Sequence, residues 1–459
     1  MSIATELQNY NDGLLGAYNA VDTKGGTIPT NKNLTNLPTA IDSIPSGAGD
    51  VTNAIIDQFK ATTSEIPANT FIEISDPSTI STTPASSYNN ASISLCSVAI
   101  DANTVFSTGG TGSNLQARLF TINNSQITAG SLVTLTSGSN TAQNVSAFLV
   151  DTNTIAVFHK TATGTGLTGQ VVTIQNGVIT PGTEVGLYGT GANTASIEFI
   201  STNKVMGMGI WGSKLQSVIF SIENGSITAG QSAEIESSSS ATQMYGASLT
   251  KIDSTHALLT YSDETDSNII YGRVCEISGT TITVGARTTL ANLDYPSVSV
   301  VRTVKLANNK ILITVGNGTR MTNTGIIVTL DNFAIDNAKT IEFPFSNPLN
   351  LSFDGTYLRA VAGRYIHTCK IAGGKIYYLG NKYFGDGIPQ SEATKKVVAE
   401  MEGGDLFMFT RSGSNGLAVL IHPGTFTATA SKTAITGLAK TTLTTSTAGD
   451  VYLLPLGTI

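Results

Sequence analysis

The sequence predicts a mainly β protein: a β-propeller preceded by a small α-helical module. Three observations predict it. A polar turn recurs as Asp101-Ala-Asn-Thr104, Asp151-Thr-Asn-Thr154, Ser201-Thr-Asn-Lys204 and Asp253-Ser-Thr-His256, at steps of 50, 50 and 52 residues. Each period holds four short apolar, β-branched segments closed by polar turns, seen best over 144–185. Only 12% of the 459 residues are charged and 46 are glycine, which suits many strands and tight turns. A four-stranded period near 50 residues marks a propeller blade.

In chain order, residues 2–22 read as a helix. Leu7, Leu14, Leu15, Tyr18 and Val21 recur at helical spacing, and Gly25-Gly26 stops the run. Leu34, Leu37 and Ile41 mark a second short amphipathic segment, ended by Pro45-Ser-Gly47. Helices this short cannot bury their own stripes, so these residues are expected to anchor the chain to a partner, to the propeller or to copies of themselves. The chain therefore divides into 1–46, an anchoring or oligomerisation module, and 47–459, the propeller.

We name the four strands of a blade a to d. Strand c is clearest, with a small third residue in Ala117, Gly169, Ser217, Gly272 and Gly325. A fixed small position implies close approach of a neighbouring blade. Strand d opens with Ile127-Thr-Ala-Gly130, Ile179-Thr-Pro-Gly182, Ile227-Thr-Ala-Gly230 and Ile282-Thr-Val-Gly285, whose glycine is expected to supply a bulge or a positive φ. The a–b turn continues more weakly at Ala307-Asn-Asn-Lys310, Asp354-Gly-Thr356, Gly403-Gly-Asp405 and Ala448-Gly-Asp450.

Seven full units fit between 91 and 436. The remnants at 51–74 and 438–455 are expected to join as an eighth blade shared by both chain ends, with seven blades as the alternative. Antiparallel strands put the a–b and c–d turns on one face, and the more variable b–c and d–a loops on the other. That second face is the expected binding face, with Trp211, Tyr261, Asp263, Glu264 and Asp266 as candidate ligand residues.

A net charge of −7 with no basic run argues against nucleic acid as a partner. No 18-residue apolar run and no secretory leader is visible, so membrane insertion and signal-directed export are not expected. Cys96, Cys275 and Cys369 are distant and fit small core positions rather than a disulfide or metal motif. His159, His256, His367 and His422 form no ligand pair, and Asp263-Glu-Thr-Asp266 lacks the spacing of a calcium loop. Nucleophile elbow, phosphate loop and dinucleotide fingerprint are missing from suitable contexts. No cofactor and no metal are expected, and no enzymatic activity.

The segment ATELQNYNDGLLGAYNAVDTKGGTIPTNKNLTNLPTAIDSIP resembles the short helical leaders of phage and prophage tail or appendage proteins. The modules VIFSIENGSITAG, GRVCEISGTTITVG and SEIPANTFIEIS are similar to repeats of the same virion proteins. The resemblance implies a structural component of a tailed bacteriophage at the neck, tail fibre or baseplate. It would be made in the host cytoplasm, located in the virion and oligomeric there, with other phage structural proteins and a bacterial surface glycan or receptor as partners. The leader would anchor it and the propeller would serve assembly or host attachment. The alternatives are a free bacterial carbohydrate-binding propeller and a glycan-active enzyme.

Overall fold

The computed structural model describes parts of 14–40 and, between 55 and 453, the strands with most of their short turns. Residues 1–13, 41–54, 86–94, 384–396, 454–459 and shorter loop stretches lie outside the described residues.

Seven four-stranded antiparallel sheets stand around a ring. Blade 1 is built from Leu95–Ala99, Thr104–Thr111, Asn114–Asn123 and a split outer strand, Gln126–Ala129 with Val133–Ser137. Blade 2 takes Gln143–Asp151, Thr154–Lys160, Leu167–Gln175 and Val178–Pro181 with Val185–Tyr188. Blade 3 takes Asn193–Ser201, Lys204–Trp211, Lys214–Glu223 and Ser226–Ala229 with Ala233–Ser237. Blade 4 takes Ser248–Lys251, His256–Ser262, Ile269–Ser278 and Thr281–Val284 with Thr288–Asn292.

Blade 5 consists of Val298–Ala307, Lys310–Asn317, Thr324–Asp331 and Ala334–Glu342. Blade 6 is Asn350–Phe353, Tyr357–Ala362, Tyr365–Ala372 and Lys375–Tyr383. Blade 7 has Val397–Glu400, Leu406–Ser412 and Asn415–His422, and its outer strand is Thr79–Ala85 from the other end of the chain. The a strands pack in succession, and that of blade 7 returns to that of blade 1.

The recurring turn has a physical cause. Asp101 Oδ1 accepts from the backbone N–H of Asn103 at 2.7 Å, and Asp151, Asp253 and Asp354 do the same for Asn153, Thr255 and Thr356. The carbonyl of the third turn residue then accepts from strand c, as in Ile122 N to Asn103 O at 2.8 Å and Ile174 N to Asn153 O at 2.8 Å. One short motif closes the a–b hairpin and fastens it to c. The c–d hairpins need left-handed residues, supplied by Asn176-Gly177 (φ 50° and 75°) and Asn224-Gly225 (φ 50° and 72°).

Between blades the core is apolar on both faces of each sheet. Leu115, Ala117 and Leu119 of blade 1 meet Val145, Ala147, Val172 and Ile174 of blade 2. Phe158 of blade 2 meets Phe220 of blade 3 with ring centroids 5.2 Å apart, both fully buried. The small third position of strand c has the expected cause only in part. A Cβ on Gly169 would lie 2.8 Å from Leu187 of its own blade and 3.0 Å from Ile227 of blade 3. One on Gly272 would lie 2.9 Å from Leu290 of its own blade and 3.0 Å from Ile335 of blade 5, and one on Gly325 2.4 Å from Phe343, just after its own blade's strand d. The glycine of strand d works differently from a positive-φ residue. Its N–H donates to strand c, as in Gly182 N to Val171 O at 2.8 Å, and a Cβ there would sit 2.5 Å from that carbonyl. The outer strand then shifts register, so the bulge half of the expectation holds and the φ half does not.

The eighth blade is corrected. Ile56–Ala61, Phe71–Ser75, Thr427–Ala430, Gly437–Ala439 and Gly449–Leu453 close on themselves as a five-stranded barrel. Local alternation in 66–74 fits a blade's outer strand and a barrel strand equally, because both bury one face. The barrel core, with Phe59, Ile72, Ala428 and Val451, continues onto Tyr377 and Leu379 of blade 6. Asp57, out of place in an apolar strand, ion-pairs with Lys370 of blade 6 at 2.7 Å.

Of the expected helical module, helix is described at residues 14–19 and 21, with single helical positions at 37 and 40. Tyr18, Val21, Leu37 and Ala40 are buried together with Leu14 at their edge, and Tyr18 Oη donates to Asn33 O at 2.7 Å. The two segments therefore cover part of each other's stripe, contrary to expectation. Leu15 is left 47% exposed. Leu7, Leu34 and Ile41 lie outside the described residues.

Candidate functional site

Polar chemistry collects at two kinds of place: the inner strands that line the ring axis, and the seams between blades. Glu198 on strand a of blade 3 is half-buried, and burial pushes its carboxyl up to about 7, with the Lys251 ammonium opposing the shift. Lys251, on the next inner strand, holds its Nζ 5.7 Å from the Phe199 ring centroid. Lys305, on the inner strand after that, donates from Nζ to Ile252 O at 2.6 Å. Arg302 on the same strand is exposed, yet the surrounding blades hold its guanidinium below the usual value by desolvation. One carboxyl and three cations thus sit on three successive inner strands. A carboxyl that titrates near neutrality is suited to give or take a proton there.

Seam chemistry repeats at two positions a hundred residues apart. Between blades 3 and 4, Arg273 Nη2 donates to Glu236 Oε1 at 2.6 Å, and Arg287 Nε lies 3.7 Å from the same oxygen. Tyr261 donates its hydroxyl to Glu236 and accepts from Arg273 Nε at 3.1 Å. Burial, and then the Glu236 carboxylate, raise the Tyr261 phenol above its ordinary value. The Arg287 guanidinium lies 3.5 Å above the Tyr271 ring.

Between blades 1 and 2 the same four positions carry Thr136, His159, Gln170 and Glu184. Thr136 donates to Glu184, and His159 Nε2 lies 3.7 Å from Glu184. Each group crosses a seam and so braces neighbouring blades, although Gln170 buries its amide Nε2 and Oε1 without a hydrogen bond among the described residues.

These contacts correct two expected ligand residues. Tyr261 is fully buried in the seam, and Trp211, 5% exposed, ends strand b of blade 3 within the apolar cluster of Phe158 and Phe220. Asp263, Glu264 and Asp266 lie outside the described residues. The three cysteines are buried and free, and burial pushes the Cys96 thiol up to about 11 and Cys275 up to about 12. Among the described residues no group of three His, Cys, Asp or Glu could hold a metal ion. Glu198 between Ile197 and Phe199, and Arg302 after Val300-Val301, are charged positions beside large apolar residues in inner strands, which is the signal by which sequence could find them.

No family model matches the chain, and no curated protein matches it. Among solved structures it is similar to a Bacteroides uniformis protein provisionally named a 6-phosphogluconolactonase (12% identity, 63% of this chain and 84% of that one, TM-score 0.47). It is also similar to a streptogramin B lyase (10% identity, 75% and 98%, TM-score 0.47). The WD40 domain of Toxoplasma gondii coronin is a third (9% identity, 78% and 88%, TM-score 0.49). Two of these names are those of enzymes, so the expectation that this chain is not an enzyme is withdrawn. At such identities no activity passes to this chain, and its fold rests on the strand order given above.

Proposed function

We propose that the chain is a component of a tailed-phage virion: an appendage held by its N-terminal segment and presenting the seven-blade ring for assembly or host-surface attachment. One observation carries this reading beyond the resemblance of the leader and repeats. Both ends of the ring-forming chain are tied into a barrel on the flank of blade 6, and the N-terminal segment runs into that barrel's first strand. Ile56–Ala61 is paired on both sides, antiparallel to Gly449–Leu453 and parallel to Thr427–Ala430. Load on the leader then enters a strand held by two ladders and by the Asp57–Lys370 ion pair to blade 6. The exposed Leu15 beside the Tyr18 cluster gives the leader an apolar contact for a partner or a second copy.

Purified particles, probed with an antibody to the ring, test the proposal. The expected result is label on intact particles that is lost when 1–46 is deleted while the ring still folds. Particles without the protein would overturn it.

A second reading, a glycan-active ring, is favoured by Glu198, whose raised carboxyl lies beside Lys251 on adjoining inner strands. Turnover of bacterial polysaccharide by the purified chain, abolished in Glu198→Gln, would establish it.

A further inference from the structure

Five large apolar or aromatic side chains are exposed among the described residues, and two of them, Tyr365 (41%) and Tyr383 (39%), touch. Their rings lie 5.3 Å apart between centroids, at 52°. Tyr365 is the first residue of strand c of blade 6 and Tyr383 the last of strand d, so they are cross-strand partners. Both stand on the face of the b–c and d–a loops. Next along the ladder, on the same side of the sheet, are His367 and Asn381. The opposite side of these strands, through Tyr377, Leu379 and Lys370, carries the barrel. The tyrosine pair thus stands on a sheet clamped from behind.

The polar atoms beside the rings are ordered by one chain of hydrogen bonds. Asn381 Nδ2 donates to Tyr378 Oη at 2.7 Å, and Tyr378 Oη lies 3.2 Å from His367 Nδ1. Tyr378 Oη thus links the Asn381 amide to the His367 ring, with the roles at Nδ1 set by the imidazole tautomer. With a neutral imidazole, the group of Tyr365, His367, Tyr378, Asn381 and Tyr383 carries no formal charge. Lys382 is paired with Ile366 and projects to the other side of the sheet. Burial also holds the His367 imidazole down to about 4, in keeping with a neutral ring.

We infer that the paired rings of Tyr365 and Tyr383, with His367 and Asn381 at their edge, form a binding shelf for a neutral hexopyranose unit of a surface polysaccharide. A pyranose has an apolar C–H face and a rim of hydroxyls, and the shelf offers the matching pair of surfaces. Two tilted rings can take the C–H face, and the exposed Asn381 amide flanks it for the hydroxyls. An acidic sugar finds no cation in the group, and a purely apolar chain would strip water from the Asn381 amide without replacing its hydrogen bonds. The inference deepens the attachment reading above and rests on it for its biological setting.

The test uses the full chain on an array of immobilised neutral and acidic bacterial polysaccharides. Binding to at least one neutral glycan is expected. It should weaken at least tenfold in Tyr365→Ala and in Tyr383→Ala and persist in Tyr365→Phe, which keeps the ring. Phe333→Ala, an exposed ring on the opposite face, should leave binding unchanged. Because both tyrosines are exposed, thermal melts of the variants are expected to match the parent, which separates lost binding from lost fold. Retention of acidic glycans alone, no retention at all, or retention indifferent to both alanine variants would overturn the shelf. Incorporation of the same variants into particles is scored in parallel. Variants that incorporate normally while the shelf fails leave the virion reading standing, and shelf binding by a protein absent from particles leaves a lectin without the virion.

Discussion

At the residue scale, the seam between blades 3 and 4 shows how burial sets the worth of a charge. Glu236 and Arg273 are 16% and 17% exposed and share Tyr261 between them, whereas the Lys214–Glu234 pair on the same outer edge is 48% and 42% exposed. Removing one member of a desolvated pair strands its partner, while an exposed pair is largely screened. Glu236→Ala should therefore cost about 2 kcal/mol in chemical denaturation, and Glu234→Ala within about 0.5 kcal/mol of nothing. Equal losses would show that the seam network is not desolvated. Glu198 gives a pH prediction with a definite sign. Its folded pKa is raised to about 7 from 4.5, so the folded state binds the proton more tightly and stability falls as pH rises between those values. Glu198→Gln should flatten that decline between pH 5 and 8, and an unchanged slope would place the titration elsewhere.

At the element scale, strand d and its glycine were legible as a repeat, but the reason for the glycine was not. Sequence alone cannot separate a residue that needs positive φ from one that needs room, since both select Gly. The structure separates them: a Cβ would stand 2.5 Å from a carbonyl at Gly182 and 2.4 Å at Gly285, but 3.1 Å at Gly130. The tight sites must break the N–H bond to strand c or displace it, and Gly130 needs a shift of only a few tenths of an ångström. Gly182→Ala is expected to cost about 2–3 kcal/mol and Gly130→Ala about 1 kcal/mol, read from denaturant midpoints. Similar costs would mean that the close carbonyl is not what selects glycine here. Trp211 and Tyr261 depart from expectation for a related reason. Trp211 ends a b strand and Tyr261 stands one residue before the end of the next, each close to a loop, and nothing local tells a ring that turns into a seam from one that turns to solvent. The shelf tyrosines are not legible in the sequence because Tyr365 and Tyr383 are 18 residues apart and become neighbours only through the c–d ladder.

At the scale of the whole molecule, period and strand order could be read from the chain, because each blade is a local meander whose turns repeat. That both chain ends share the last blade could be read as well, but not which strands close it, because they pair residues more than three hundred positions apart. Thr79–Ala85 joins Asn415–His422 in unbroken register from Thr79↔His422 to Ala85↔Gly416, completing blade 7, while the strands on either side in sequence leave for the barrel. Ring and barrel therefore depend on different parts of the chain. Every residue of the closing ladder precedes 437, whereas the barrel needs Gly437–Ala439 and Gly449–Leu453. Truncation after Ser431 should open the barrel and expose Phe59 and Ile72, yet keep the seven-blade ring and a cooperative, lowered melt. Removal of residues 1–86 should do more damage, because it leaves strand c of blade 7 with a bare edge, free to pair with other molecules. Gel filtration with thermal melting distinguishes the two: a smaller but monomeric ring for the C-terminal truncation, and self-association for the N-terminal one. If both truncations behaved alike, the barrel would be part of the ring's closure rather than an attachment on its flank.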